Sequence, residues 1–269
     1  MLNKLTEELA VCGYNAAAAL AEYHPEKVNR LFMREDRLRQ FTRLCKNLAE
    51  RKRPYKICED AELERICKSG HHQGVVIMIE EPSVAWAVPE DIDVWAQGKT
   101  GLVLHSVGND HNLGAMVRSA AFFDAHFVVI SNADTEARLT TSAYRVAEGG
   151  MEHVDFRRVK STVNFLKALS RQVITIGADT RARLRIRDLR AIISEKAPFL
   201  RPQEPVPGVE KPRIEKPGVA VIVGNEESGL PPEVQERCTA IVRIPGIGNI
   251  ESLNVAQAAT LFLHELYEL

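Results

Sequence analysis

Apolar and polar positions run along the chain in short blocks whose period switches between helical and extended. Residues 5–23 (LTEELAVCGYNAAAALAEY) carry Ala and Leu at helical spacing and predict a helix. VNRLFM predicts a short apolar strand, and DRLRQFTRLCKNLAERK an amphipathic helix. After Pro54, PYKIC predicts a strand, AELERICKS a helix ended by Gly70, and GVVIMIEE a β-branched strand too apolar for a surface position. These alternations predict a small α/β unit over residues 1–80, with helices packed on a sheet.

Residues 81–99 follow a different pattern. The stretch EPSVAWAVPEDIDVWAQGK has two prolines, several carboxylates and no sustained periodicity, and it reads as a linker. Both tryptophans of the chain, Trp86 and Trp95, fall there; they read as plugs that seat the linker on a domain, with stacking on nucleic-acid bases as the alternative. From Thr100 the rhythm becomes GLVLHSV, LGAMVRSAAFFDA, HFVVIS, a βαβ unit whose fully apolar strands predict parallel pairing. Further strands are expected at HVDFRRV, QVITIGA, GVAVIVGN and AIVRIPG, and helices at STVNFLKALSR, PPEVQERC and NVAQAATLFLHELYEL. Residues 100–269 thus predict a parallel α/β sheet. The insertion at 197–218 interrupts them, holding six of the 13 prolines, and is expected to be exposed and extended.

Hydrophobic residues make up 45% of the 269, enough for a packed core in each part. The 35 basic against 36 acidic side chains leave a net charge of -1, so attraction to a polyanion must come from local patches. Two stretches, 34–53 and 181–190, concentrate cations and read either as such patches or as solvated helix faces. The five cysteines and the His71-His72 pair show no ligand spacing, so reduced thiols and no metal site are expected. Without a long apolar span or a signal segment, the expected location is the cytoplasm.

Three strings carry candidate chemistry. NDHNLGAMVRSAA lies between a strand and a helix, where α/β ligand sites form, with Asn112 at the helix start and Arg118 six residues on; each has a plain structural reading, cap and surface cation. VIVGNEESGLPPEV ends a strand at Gly224 and brackets Glu226 and Glu227 with Gly229. Its acidic pair argues against a phosphate cradle and for a cationic or polar ligand. In IPGIGNIESLNVAQAATLFLHEL, Gly246 and Gly248 form a loop, and Ser252, Leu253 and Asn254 sit at a helix N-terminus that offers N–H groups to a ligand.

In order and spacing these strings resemble the three motifs of the SpoU (TrmH-like) branch of the SPOUT methyltransferases. Asn112 and Arg118 match the first motif, Gly224, Glu226 and Gly229 the second, and Ile244, Pro245, Ser252, Leu253, Asn254 and Val255 the third. The first 80 residues also resemble the L30e-like substrate-binding domain that precedes many such enzymes. Departures are Asp124 where Gly is usual, Glu148 and Ala256 where Ser is usual, and the proline-rich insertion. The resemblance implies a parallel sheet threaded into a trefoil knot, which general rules of chain topology would not predict. It also implies a homodimer and S-adenosyl-L-methionine held around Gly224, Gly229, Ile244 and Leu253. The implied reaction is methyl transfer to a ribose 2'-hydroxyl of tRNA or rRNA, with Asn112, Arg118, Glu226, Ser252 and Asn254 in the site. The rival readings are an RNA-binding protein that keeps the fold without activity, a base methylase, and an enzyme using another nucleotide cofactor; the last lacks any GxGxxG or P-loop string.

Overall fold

The computed structural model describes residues 8–131, 138–200 and 216–269. In chain order the elements are β1 (Glu8–Cys12), α1 (Tyr14–Tyr23), β2 (Val28–Met33), α2 (Thr42–Glu50), β3 (Tyr55–Ile57), α3 (Asp60–Cys67), β4 (Val75–Glu80), β5 (Ala85–Trp86), α4 (Pro89–Trp95), β6 (Thr100–Leu104), α5 (Asp110–Phe122) and β7 (Phe127–Ser131). Then come α6 (Thr141–Ala147), β8 (Asp155–Val159), α7 (Thr162–Leu169), β9 (Val173–Ala178), β10 (Leu184–Arg185), α8 (Leu189–Lys196), β11 (Gly218–Val223), α9 (Pro232–Gln235), β12 (Ala240–Arg243) and α10 (Val255–Tyr267). They fall into two compact units. One gathers the described residues of Met1–Ser83, Asp110–Arg118 and Arg138–His153; the other gathers those of Val84–Asn109, Ser119–Ala137 and Val154–Leu269.

The first unit is built on a four-stranded sheet in the order β1-β4-β2-β3, antiparallel except for β2 with β3. The helix expected over 5–23 holds only from Tyr14. Glu8–Cys12 is a fully buried strand paired with β4, and Gly13 breaks the chain between strand and helix at φ +96°, a value that an L side chain rarely adopts. The expected helix over 36–52 is likewise shorter, since only Thr42–Glu50 is α-helical. β4 is buried from Val75 to Ile79, as its composition predicts. One face of β1 and β4 packs Ala10, Cys12, Val76 and Met78 against Leu63 and Cys67 of α3. Glu148 stands in the left-handed region at φ 51° as the C-cap of α6, and its carboxylate accepts a bond from Asn15 Nδ2 at 2.6 Å.

The second unit contains an eight-stranded sheet in the order β10-β12-β9-β11-β6-β7-β8-β5. Every pairing in it is parallel. The expected parallel α/β sheet is therefore present. Its central strands β6, β7, β9 and β11 are almost wholly buried, which is why their sequences are continuous apolar runs.

The stretch read as a linker is partly structured. Ala85–Trp86 adds an edge strand beside β8, and α4 starts with Pro89 at its first position while Asp91 Oδ2 accepts the Val88 N–H at 2.9 Å. Trp95 is 2% exposed and stacks on Phe127, with ring centroids 4.2 Å apart and planes 16° apart, while Phe165 meets it edge-on. It is thus a core residue of the unit. Asp124, where Gly was expected from the resemblance, sits at φ 54°, a backbone state Asp tolerates better than most residues. Of the proline-rich insertion, residues 201–215 lie outside the described residues; Ala197–Phe199 forms a 3-10 turn and Gly218 already belongs to β11.

Candidate functional site

In an open parallel sheet, ligands bind beyond the carboxyl ends of the strands where the strand order reverses. Here β6, β7 and β8 run outward in one direction, and the chain then crosses back to place β9 and β11 on the other flank of β6. The loops after β6 and β11 therefore face each other across the reversal.

The loop after β11 is a closed turn. Gly229 N–H donates to the Asn225 carbonyl at 2.9 Å, and Asn225 and Gly229 form a β-bridge. A Cβ on Gly224 would lie 2.3 Å from the carbonyl carbon and oxygen of Gly229 and 2.7 Å from the Leu230 nitrogen, so only glycine lets the two backbones approach this closely. Gly229 closes the turn at φ +69° with open space where its own Cβ would stand. The turn is held by Asn225: its Oδ1 accepts from Glu227 N–H at 3.0 Å, Ser228 N–H at 3.1 Å and Ser228 Oγ at 3.2 Å. Its Nδ2 donates to the Ser106 carbonyl at 2.9 Å, tying this turn to the loop after β6. Asn225 is not among the candidate residues of the sequence motif, which are Gly224, Glu226 and Gly229. The signal available was the preference of Asn for turns in which its side chain bonds backbone two and three residues on. Glu226 and Glu227 project from the turn as exposed carboxylates.

The second loop follows β12. Ile244 comes directly after the strand and Pro245 to Asn254 are exposed, with Ile247 91%, Ile250 72% and Leu253 41% accessible. Gly248 adopts φ +90°. Of the two candidate caps, the structure uses Asn254, whose Oδ1 accepts the Ala256 N–H at 2.8 Å. Ser252 lies in the loop before it.

α5 begins at Asp110, two residues earlier than expected, so Asn112 lies inside its first turn and is not the N-cap. Asp110 instead accepts from Thr140 Oγ1 at 2.8 Å and Arg138 N–H at 3.2 Å. Arg118 lies further along α5 and is exposed. Asn112 and Arg118 group with the first compact unit, whereas Gly224, Glu226, Gly229, Ile244, Ser252, Leu253 and Asn254 share the second.

His105, beside Ser106, bonds Thr162 Oγ1 through Nδ1 at 2.9 Å. Burial lowers its pKa below the usual histidine value, with Glu233 opposing. The turn after β11 presents backbone groups and two exposed carboxylates, and the loop after β12 presents exposed apolar side chains.

The basic stretches divide by partner. Arg34 pairs with Asp36 and Asp60, Arg37 lies 4.9 Å over the Tyr14 ring, and Arg51 donates to the carbonyls of Pro25, Glu26 and Val28. Arg39, Arg43, Lys46, Lys52 and Arg53 are exposed. In the second stretch Arg181 pairs with Asp179 at 3.1 Å and Arg190 donates to the Glu268 carbonyl.

Residues 99–264 match the family model of the SpoU rRNA methylases, and residues 10–85 match that of the RNA 2'-O ribose methyltransferase substrate-binding domain. The chain belongs to the SpoU rRNA methylase family. The expected resemblance is thereby met. A curated relative, the 23S rRNA (guanosine-2'-O-)-methyltransferase RlmB of Acinetobacter baylyi, is 31% identical to this SpoU-family chain over 260 residues, covering 94% of each. The protein of the same name from Bordetella pertussis is 27% identical over 95% of each chain. Among solved structures, the AdoMet-bound rRNA methyltransferase from Sinorhizobium meliloti superposes with a TM-score of 0.72 at 20% identity, covering 99% of this chain and 89% of that one. The SpoU methyltransferase AviRb from Streptomyces viridochromogenes gives 0.70 at 20% identity, covering 99% and 92%. Both likenesses extend the SpoU-type fold along nearly the whole chain.

Proposed function

We propose that this chain transfers a methyl group from S-adenosyl-L-methionine to a ribose 2'-hydroxyl of RNA, with ribosomal RNA as the substrate class. The observation that carries the reading is the match of 99–264 to the methylase family together with near full-length relatives named for that reaction on 23S rRNA. When bound, the cofactor supplies an electrophilic methyl on a sulfonium. The residues fit such a group: Gly224, Gly229, Ile244 and Leu253 offer backbone and apolar contacts, and the Glu226–Glu227 carboxylates suit a cation. In the finer fold reading, the chain around β11, β12 and α10 is threaded as a trefoil knot, and residues 1–80 form an L30e-like RNA-binding domain joined through 81–99 to the catalytic residues 100–269.

Displacement at a sulfonium requires the hydroxyl to be aligned with the methyl and its proton to be removed. Arg118, always charged, anchors a phosphate or ribose oxygen and does not act as the base; the proton passes to phosphate or water. Asn112, on the same helix, supports Arg118, Glu226 is assigned to the catalytic set, and Ser252 with Asn254 lines the methyl end. The Asn254 side chain does so from its capping position, through which it also fixes the start of α10. The enzyme works as a homodimer: Phe122, Leu261 and Tyr267 leave 79%, 42% and 61% of their surface exposed, and Phe123 bridges the aromatic group. No described helix is long and apolar enough to cross a membrane, in keeping with a cytoplasmic site of action.

The test is Arg118→Ala, assayed for methyl transfer and for S-adenosylmethionine binding. The expected result is unchanged cofactor affinity with turnover reduced on the order of a hundredfold or more. Near-wild-type turnover would end the anchoring role, and a wild-type protein that binds no cofactor would end the enzymatic reading in favour of an inactive RNA-binding protein.

A further inference from the structure

Far along the sheet from the loops just described, β8 carries two successive arginines whose side chains point to opposite faces. Arg157 is neutralised: its guanidinium bonds Asp91 Oδ2 at 2.9 Å and Asp155 Oδ1 at 3.1 Å. Arg158 has a different setting. It lies 4.2 Å over the indole of Trp86, and its Nε is shut away from solvent without a hydrogen-bond partner. Lys160 Nζ stands 5.6 Å from the centre of the same ring. These groups line an open cavity of about 420 Å³ completed by Ser161, Asn164 and Phe165, with no carboxylate in its wall. Ser161 caps α7 there by accepting the Asn164 N–H at 3.3 Å, so the positive end of that helix faces the same space.

Two cations, an indole that is 38% exposed and a helix start, with no acid to balance them, suit an anion joined to a flat ring. We infer that this pocket is an RNA subsite that takes one nucleotide flanking the methylated one, with phosphate against Arg158 and Lys160 and base against the indole–guanidinium pair. The inference rests on the RNA methyltransferase reading. Position supports it: all strands of the sheet are parallel, so the carboxyl end of β8 lies on the same edge as the carboxyl ends of β6 and β11. β8 is three strands from β11, roughly 15 Å at ordinary strand spacing, within reach of one bound RNA strand.

The experiment uses the full chain and a fluorescein-labelled single-stranded RNA oligonucleotide, with affinity read by anisotropy over a range of salt and S-adenosylmethionine binding read by calorimetry. Arg158→Gln with Lys160→Gln is expected to weaken RNA binding about tenfold and to flatten the log–log salt slope by about 0.7 for each phosphate that is no longer neutralised, with cofactor affinity unchanged. RNA should also quench tryptophan fluorescence in the wild type but not in Trp86→Phe, since Trp95 is sealed in the core. Lys160→Gln alone, at an exposed position, is expected to lose a smaller part of the affinity and cannot be dismissed as misfolding. Variants that bind RNA as the wild type does, with its salt slope, overturn the subsite and leave the enzymatic reading intact. A wild type that binds cofactor but no RNA overturns both.

Discussion

The side chain of Asn225 gives the sharpest test of how the site is held. Replacing it with Ala removes the acceptor for Glu227 N–H, Ser228 N–H and Ser228 Oγ, and the donor to the Ser106 carbonyl. An intramolecular hydrogen bond contributes about 0.5 to 1.5 kcal/mol net, and the exposed partners regain water when the bond is broken. The bond to Ser106 is part-buried and joins two loops, so its removal is the larger share. Allowing for the non-additivity of bonds to one side chain, the ordered turn loses about 1 to 2 kcal/mol, equivalent to a five- to thirtyfold weaker cofactor affinity. Titration of S-adenosylmethionine into wild type and Asn225→Ala by calorimetry measures it, with circular dichroism to show that the fold persists. Asn225→Asp, which keeps an acceptor and loses the donor, should fall between the two. Affinity within twofold of wild type in a folded Asn225→Ala protein would refute the claim that this carboxamide organises the turn.

Gly224→Ala should be worse for the site than Asn225→Ala: the new methyl meets backbone at 2.3 Å and forces the 224–229 turn open, so cofactor binding by calorimetry is expected to vanish, with about 1 to 3 kcal/mol less stability in urea. Trp95→Ala should cost about 3 to 5 kcal/mol in the same unfolding assay, because it empties the stack on Phe127 and the edge-on packing with Phe165. The pH dependence follows from His105 and His126, both lowered by burial. The unfolded chain binds more protons than the native one between their folded values and about 6.5, so stability rises as pH rises through that window and is lost as pH falls through it, with no further loss from these groups below it. Urea midpoints from pH 5 to 8 should show this slope, and His105→Gln should make it shallower.

The centre of the large sheet was legible because β6, β7, β9 and β11 are buried on both faces and therefore written as unbroken apolar runs, each bounded by turn residues. The strand Glu8–Cys12 was not. Its residues continue into the Ala-rich α1 without a polar break, and what makes them a strand is pairing with the distant β4, Glu8 opposite Glu80 and Cys12 opposite Val76. α4 was hidden by its brevity, although Pro89 at the first helical position and the acidic Glu90 and Asp91 are start signals. In the site, Gly224 and Gly229 could be picked from spacing alone, since close backbone approach at a strand end demands glycine. Asn225 could not, because its key partner is a backbone carbonyl 119 residues away in sequence. Arg158 was hidden for a related reason: the sequence shows two adjacent arginines, and only the fold reveals that one is neutralised and the other lies on an indole beside a cavity.

The most direct test of the central claim is the chemical identity of the product. The purified chain is incubated with S-adenosylmethionine carrying a labelled methyl group and with protein-free ribosomal RNA, which is then digested to nucleosides and resolved by mass spectrometry. The account predicts label in a 2'-O-methylnucleoside and none in methylated bases. Label on a base, or no transfer by a protein that binds the cofactor, would contradict it.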